Sequence, residues 1–275
     1  MEQASSINRD RLSVLIALIL LALALIPLLN APGRSVGASV LGSELDIEIT
    51  PAGLITLLAA GLACAGVDML IRVHPRVRSG ESGPTWVFWI LPALTVIGVE
   101  QWLSHASSGL AWAAQLFASG AVMWIIIRAE YGTIDPDGPA AGRWRLVLNV
   151  AAYLLAFGLF ATIWETRIRS LITASMTVAV ALLISIDMMW VTRASARRVL
   201  LNAMPVAIVT GECAWALNYW RATAAMAGLS LVLIFYALSG IATQYLFGKL
   251  TQRVVIEFGA VIAAAIALLL IGAPR

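Results

Sequence analysis

Ionisable and amide side chains interrupt the long apolar runs of this 275-residue chain, and they are the residues that could do chemistry. A charged side chain at membrane depth costs at least about 2.5–3.5 kcal/mol on insertion scales, so it normally faces a bundle interior or a water-filled cavity. The spacing of these residues predicts two layers at opposite membrane faces. The outer candidate layer consists of Glu100, Gln101, Gln115, Glu212, Trp215 and Asn218. The inner layer consists of Asp68, Asp187, Gln244 and Glu257, and its candidate site is formed by Asp68, Arg72 and Asp187.

In the outer layer, Glu100 and Glu212 could share a pocket as a protonatable carboxylate pair or a cation site. The alternative is structural, with each carboxyl hydrogen-bonded to a neighbouring helix. We predict that Glu212 faces the bundle interior, is mostly buried and bonds to another helix. Gly211 beside it would allow close approach of that helix. The favoured partners of Glu212 are Glu100, Gln101 and Gln115, which share its depth.

In the inner layer, Asp68 has Arg72 one helical turn away, and Glu257 has the same relation to Arg253. Such i,i+4 pairs favour a structural role for both carboxylates. Asp187 is different because its basic followers, beginning at Arg193, lie beyond one turn. No adjacent pairing therefore explains Asp187.

The elements that position these residues are long apolar segments. The chain is 61% hydrophobic and only 12% charged, with a mean hydropathy of +0.91. A helix needs about 20 apolar residues to cross a hydrocarbon core of about 30 Å. The pattern predicts nine spans, at about 12–29, 52–71, 85–104, 109–127, 146–164, 170–192, 200–219, 223–247 and 254–272. The predicted fold is an all-α polytopic membrane helix bundle, forming a single transmembrane domain over 1–275.

Basic residues predict the orientation of the bundle. With the N-terminus inside and the C-terminus outside, the inner segments hold 13 of the 18 lysines and arginines, as the positive-inside rule requires. This predicts a multi-pass protein of a cell membrane. The pI near 9.2 reflects short basic loops facing anionic headgroups. The expected partners are the lipid bilayer and other proteins of a membrane assembly, and no nucleic acid is expected.

Two connections are long enough to have structure of their own. In the outer connection, residues 30–51, Glu44, Asp46 and Glu48 alternate with apolar residues, which predicts a short strand or an extended segment. The inner connection, residues 128–145, contains Asp135-Pro136-Asp137-Gly138, a composition typical of a turn. Its two aspartates could instead hold Mg²⁺, whose sites use one or two carboxylates.

Asp68 and Asp187 stand at the inner ends of the second and sixth predicted spans. This layout of nine spans resembles the intramembrane prenyltransferases, which bind a prenyl diphosphate through Mg²⁺. The resemblance implies a diphosphate site at the inner leaflet. Each site here has one aspartate where that family has repeated ones, as in Asn-Asp-x-x-Asp, and a single carboxylate makes a weak Mg²⁺ site.

A second resemblance covers most of the chain. It rests on Ile49-Thr50-Pro51, His74-Pro75, Ala129-Glu130-Tyr131 followed by Asp135-Pro136, and Trp215-Ala216-Leu217-Asn218-Tyr219-Trp220. These segments look like those of uncharacterised multi-spanning bacterial membrane proteins of the kind found in Chloroflexota. The resemblance implies a fold and no activity.

Most enzyme classes have no support in the sequence. The two histidines, His74 and His105, fall on opposite faces of the predicted bundle, so no multi-histidine metal or haem centre is predicted within one subunit. No hydrolase, metalloprotease or nucleotide-binding motif occurs. Catalytic residues and cofactors therefore stay unassigned.

Three classes of function stay open at this point. The first, which we favour, is a non-enzymatic subunit or scaffold whose polar residues pair internally. The second is a small-solute or ion carrier with Glu100 and Glu212 lining an outer cleft. The third is a lipid-acting enzyme of degenerate prenyltransferase type, in which Asp68, Asp187 and the Asp135/Asp137 loop converge at the inner leaflet.

Overall fold

A computed structural model describes residues 9–29, 33–40, 43–80, 83–166 and 170–272, with the side chains of 34–48 and 268–272 outside that description. The described chain is helical apart from one β-hairpin. Its helices are α1 (Arg9–Leu25), α2 (Pro51–Ile71), α3 (Pro75–Arg78), α4 (Ile90–Ser104), α5 (Gly109–Thr133), α6 (Ala141–Glu165), α7 (Ser170–Trp190), α8 (Ala196–Leu217), α9 (Ala224–Leu246) and α10 (Gln252–Gly272). Short 3₁₀ turns extend α1 at Ile26–Leu28 and precede α4 at Thr85–Trp89.

Eight helical segments among the described residues are long and apolar enough to cross a membrane, as a multi-pass membrane protein requires. They coincide with the first eight predicted spans. Helix α10 covers the residues of the ninth predicted span, but it is not among these eight segments. The count of nine spans therefore stays a prediction. Side chains set several helix starts: the Thr50 hydroxyl accepts a bond from the Gly53 N–H at 3.1 Å, and Pro51 occupies the first helical position.

The predicted strand in the outer connection is confirmed. Strand β2 (Ser43–Ile49) pairs antiparallel with β1 (Arg34–Val40), with Arg34 opposite Ile49 and Val40 opposite Ser43. The fold is therefore an α-helical protein with one two-stranded hairpin between α1 and α2.

The chain divides into two compact units, Met1–Trp144 and Arg145–Arg275, where the sequence predicted one domain. In unit 1, α2 packs against α1 and α4, and α5 packs against α1 and α4. The core of this unit is aliphatic, built around side chains such as Leu12, Ile19 and Val67, which are fully buried. Small residues, including Ala63, let α2 approach its neighbours closely.

Unit 2 contains most of α6 and all of α7 to α10. Helix α8 packs along α7 and α9, and α10 packs along α9. Phe160 of α6 meets Phe235 of α9 edge-on, with ring centroids 5.9 Å apart, and both side chains are fully buried. The Tyr153 and Ser239 hydroxyls, 3.2 Å apart, add a hydrogen bond between the same two helices.

Candidate functional site: a loop cluster and an end cleft of unit 1

The turn predicted at Asp135-Pro136-Asp137-Gly138 is confirmed, and it is tied to the segment after α2. The Gly138 N–H donates to the Asp135 carbonyl at 3.2 Å, and the Asp137 N–H donates to the Asp135 carboxylate at 3.3 Å. Arg76 of α3 places its Nη2 3.1 Å from Asp135 Oδ1 and 3.4 Å from Asp137 Oδ2. The two aspartates thus face a guanidinium, which is the environment of an ion pair and not of a metal ligand.

His74 lies beneath this ion pair and is only 6% exposed. Its ring meets Tyr131 of α5 edge-on, with centroids 4.9 Å apart. Its Nδ1 accepts a bond from the Arg76 N–H at 3.3 Å and so caps the short helix α3. We call His74, Arg76, Tyr131, Asp135 and Asp137 the loop cluster. It joins two connections of unit 1 that lie far apart in sequence.

Burial favours the neutral form of the His74 imidazole. Burial lowers the pKa of His74; the Asp135 carboxylate opposes this shift, and the positive Arg76 adds to it. Neutral imidazole can accept the Arg76 N–H bond at Nδ1, whereas the protonated ring cannot. The cap therefore depends on pH.

Stability should accordingly depend on pH through His74. A buried histidine with a lowered pKa binds fewer protons than its unfolded counterpart, so stability falls as pH drops below about 6.5, the unfolded value. Thermal unfolding in detergent between pH 8 and pH 5.5 should show wild-type protein losing stability toward pH 5.5. His74→Asn, which keeps a neutral capping acceptor, should lose less.

His105→Asn is the matched control for this measurement, since His105 is exposed at the end of α4. It should retain the full wild-type pH dependence. An identical dependence in wild type and His74→Asn would show that His74 is not the titrating group.

The inner-layer carboxylate of unit 1, Asp68, has two side-chain partners. Asp68 accepts hydrogen bonds from Arg72 Nε and, at 2.9 Å, from the Thr85 hydroxyl before α4. This confirms the predicted pairing of Asp68 with Arg72, and Glu257 pairs with Arg253 at 3.0 Å as predicted. Asp187 lies half-buried on α7 of unit 2. Among the described residues, no three His, Cys, Asp or Glu side chains are grouped so as to hold a metal ion.

The outer-layer residues of unit 1 lie on α4 and α5. Gln101 Nε2 donates to Glu100 Oε2 at 2.8 Å, and Glu100 lines a cleft of about 500 Å³ where α1, α4 and α5 meet at one end of the unit. Gln115 is half-buried on α5, and its side-chain oxygen is buried without a hydrogen bond from the residues that the structure describes. Glu100 is thus the one outer-layer carboxylate of this unit, and it opens into a cleft.

The prediction that Glu212 is mostly buried is wrong. Glu212 is exposed on α8 and makes no hydrogen bond to the described residues of unit 2. Trp215, one turn later, is 44% exposed on the same side, and Asn218 caps the helix end half-buried. The residue that faces α7 is Gly211: a Cβ there would lie 3.1 Å from the Ala174 carbonyl oxygen. Close approach at Gly211, also predicted, is confirmed.

Sequence reasoning left His74, Arg76 and Tyr131 out of the candidate sites. A signal was available, because His74-Pro75, Ala129-Glu130-Tyr131 and Asp135-Pro136 are among the segments that carry the resemblance to uncharacterised membrane proteins. In the structure, each of these three segments contributes to the loop cluster or lies next to it. Glu130, treated as part of a loop segment, is instead buried in α5 at 2% exposure.

No curated protein and no solved structure matched the chain. One family model matched residues 31–272, a range that includes the hairpin, the loop cluster, α8 and the α4 and α5 residues of the end cleft. The chain therefore belongs to the family described as proteins of unknown function, DUF5656.

Proposed function

We propose that the chain is a non-enzymatic subunit or scaffold of a membrane assembly, and that α8 is the helix through which it meets a partner protein. The observation that carries this proposal is the placement of Glu212 on the outward side of a long apolar helix. The loop cluster agrees with it, because its charges are arranged in ion pairs and not around a reactive centre.

Helix α8 has two distinct sides. Its buried side, which packs in unit 2, consists of Val199, Ala203, Val206, Ala207, Thr210, Gly211, Ala214 and Leu217. Its exposed side, the α8 stripe, consists of Leu201, Met204, Pro205, Ile208, Val209, Glu212, Trp215 and Ala216. Both sets recur every three to four residues, so each forms a continuous stripe along the helix.

A carboxyl group in the α8 stripe is costly in lipid. Asp and Glu inside spans normally face a bundle interior or a cavity, and an unpaired carboxyl at membrane depth costs a few kcal/mol. A partner helix that donates a hydrogen bond to Glu212 would remove this cost. Protein contact along the stripe would cover Trp215 and Ile208 at the same time.

A photo-crosslinking amino acid at Ile208, introduced in native membranes, tests this proposal. We expect a discrete adduct from position 208 that persists with Glu212→Gln, which still bonds, and is lost with Glu212→Leu. The matched control is Leu154, an apolar α6 residue that is 66% exposed. An adduct of twice the chain mass would identify a second copy as the partner. Lipid-only labelling, or equal adducts from both positions, would contradict the proposal.

We further infer that α10 is the ninth span and that the N-terminus lies inside and the C-terminus outside, in the cytoplasmic membrane of a bacterium such as a member of the Chloroflexota. The supports are the basic residues concentrated in alternate loops and the 21-residue length of α10. On this orientation, the loop cluster lies at the cytoplasmic face and the Glu100 cleft at the external face.

A small-solute or ion carrier is the second candidate, because Glu100 lines an open cleft as that hypothesis requires. That hypothesis also requires Glu212, which belongs to unit 2. The lipid-acting enzyme has less support, since Asp68 already accepts bonds from Arg72 and Thr85.

A further inference from the structure

We propose that the end cleft of unit 1 binds a small organic cation, with Glu100 as its counter-ion and Trp112 as an aromatic wall. This binding site is independent of the proposed role as a subunit, because it uses α1, α4 and α5 and no residue of α8. The proposal concerns the binding of a ligand and does not include its transport.

The cleft has the size and the wall chemistry of a small-molecule site. Its volume of about 500 Å³ falls in the range of about 300–1,000 Å³ that is usual for such pockets. One side is apolar, formed by Leu23, Pro27 and Leu103, and hydroxyl-bearing residues such as Ser107 line the mouth between α4 and α5. A ligand with an apolar body and one polar group would match both sides.

The charge of the cleft selects the sign of that polar group. Among the residues that the structure describes, Glu100 is the one ionisable side chain that lines the cleft. Its Oε2 accepts a bond from the neutral Gln101 amide, which orients the carboxylate without neutralising its charge. Its Oε1 can therefore accept a bond from an ammonium group or make an ionic contact with it.

Trp112 narrows the ligand class further. It is half-buried in the first turns of α5 and lines the same cleft as Glu100. Indole is the side chain that attracts cations most strongly through its ring face. A carboxylate, an indole and an aliphatic wall together favour an alkylammonium or quaternary ammonium group over a bare metal ion, which needs several oxygen ligands.

Two sources could supply this chemistry at a membrane face: a soluble amine, or the ammonium headgroup of a phospholipid. For the soluble source, the purified chain in phosphatidylglycerol nanodiscs is titrated with choline and with 3,3-dimethylbutanol, its neutral isostere, by calorimetry. For the lipid source, retention of phosphatidylethanolamine over phosphatidylglycerol is measured by native mass spectrometry.

We expect saturable binding of choline, or selective retention of phosphatidylethanolamine, and at least a tenfold weaker effect in Glu100→Gln. Glu165→Gln, at an exposed carboxylate that ends α6, is the matched control and should bind as wild type does. Trp112→Leu should weaken binding less than Glu100→Gln, because it removes the ring and keeps the charge.

Several results would overturn the proposal. They are equal binding of choline and its neutral isostere, equal binding by wild type and Glu100→Gln, and no binding in either arm. If Glu100→Gln does not fold, the comparison of choline with the neutral isostere on wild-type protein decides alone. Loss of the α8 crosslink would leave this result unaffected, so failure of either proposal can be recognised separately.

Discussion

Gly211→Val is expected to lower the free energy of unfolding of unit 2 by about 1–3 kcal/mol. This is the usual cost of inserting methyl groups into a tightly packed site. A Cβ at position 211 would overlap with Val178 Cγ2 and would lie 3.1 Å from the Ala174 carbonyl oxygen. The Val178 side chain has few positions to move to, and the backbone oxygen has none unless α7 shifts. Unfolding in mixed micelles of increasing SDS fraction measures the loss.

Gly158→Val is the matched control for Gly211→Val. Both glycines lie inside long helices, but apart from its chain neighbours and the backbone of its own helix no described atom would come within 4 Å of a Cβ at 158. Valine should therefore change stability there by less than about 0.5 kcal/mol, as for an ordinary surface substitution. Equal losses for the two variants would mean that α7 and α8 do not approach closely at Gly211.

The packing at Gly211 also explains why the sequence misled us about Glu212. Successive residues on a helix point about 100° apart, since a turn has 3.6 residues. Gly211 and Glu212 therefore cannot both face the same neighbour. Ala203, Ala207 and Ala214 fall on the Gly211 side, so small residues already marked the packing face of α8. We predicted a buried Glu212 because an intramembrane carboxyl normally faces the bundle interior. The spacing of the small residues instead places position 212 on the other side of α8.

Helix positions could be predicted from sequence because lipid restricts the options for the backbone. The span predicted at 52–71 corresponds to the helix Pro51–Ile71. The span predicted at 85–104 corresponds to a 3₁₀ turn followed by a helix over Thr85–Ser104. The span predicted at 109–127 is longer, ending at Thr133. The apolar run of residues ends at Arg128, whereas the helix continues to Thr133, just before the turn at Asp135.

The loop cluster could not be predicted because its contacts are long-range. Arg76 and Asp137 are separated by 61 positions, and nothing local to either one requires the other. By contrast, the Asp68–Arg72 and Arg253–Glu257 pairs follow from i,i+4 spacing alone, and both are present. The hydropathy pattern does not predict the division into two units either, because the boundary falls inside the continuous helix α6.

Asp68→Leu is expected to have the largest effect among changes to the inner layer, a loss of about 1–3 kcal/mol. It removes the acceptor of the Thr85 hydroxyl, which is partly buried, together with the partner of Arg72. Asp68→Asn keeps an oxygen for Thr85 and should cost at most about 1 kcal/mol. Arg72→Met, which removes only an exposed ion-pair partner, should cost no more than that. SDS unfolding of the three variants measures this order.

The same variants distinguish a structural Asp68 from a ligand of metal and diphosphate. A single carboxylate that is already paired with a guanidinium makes a weak Mg²⁺ site, so Mg²⁺ with inorganic pyrophosphate should leave the unfolding temperature of wild-type protein unchanged. Stabilisation by Mg²⁺ and pyrophosphate that disappears in Asp68→Asn but persists in Arg72→Met would overturn this view and favour the lipid-acting enzyme. Asp68→Asn separates the two cases because it preserves the bond from Thr85 while removing the charge that a metal needs.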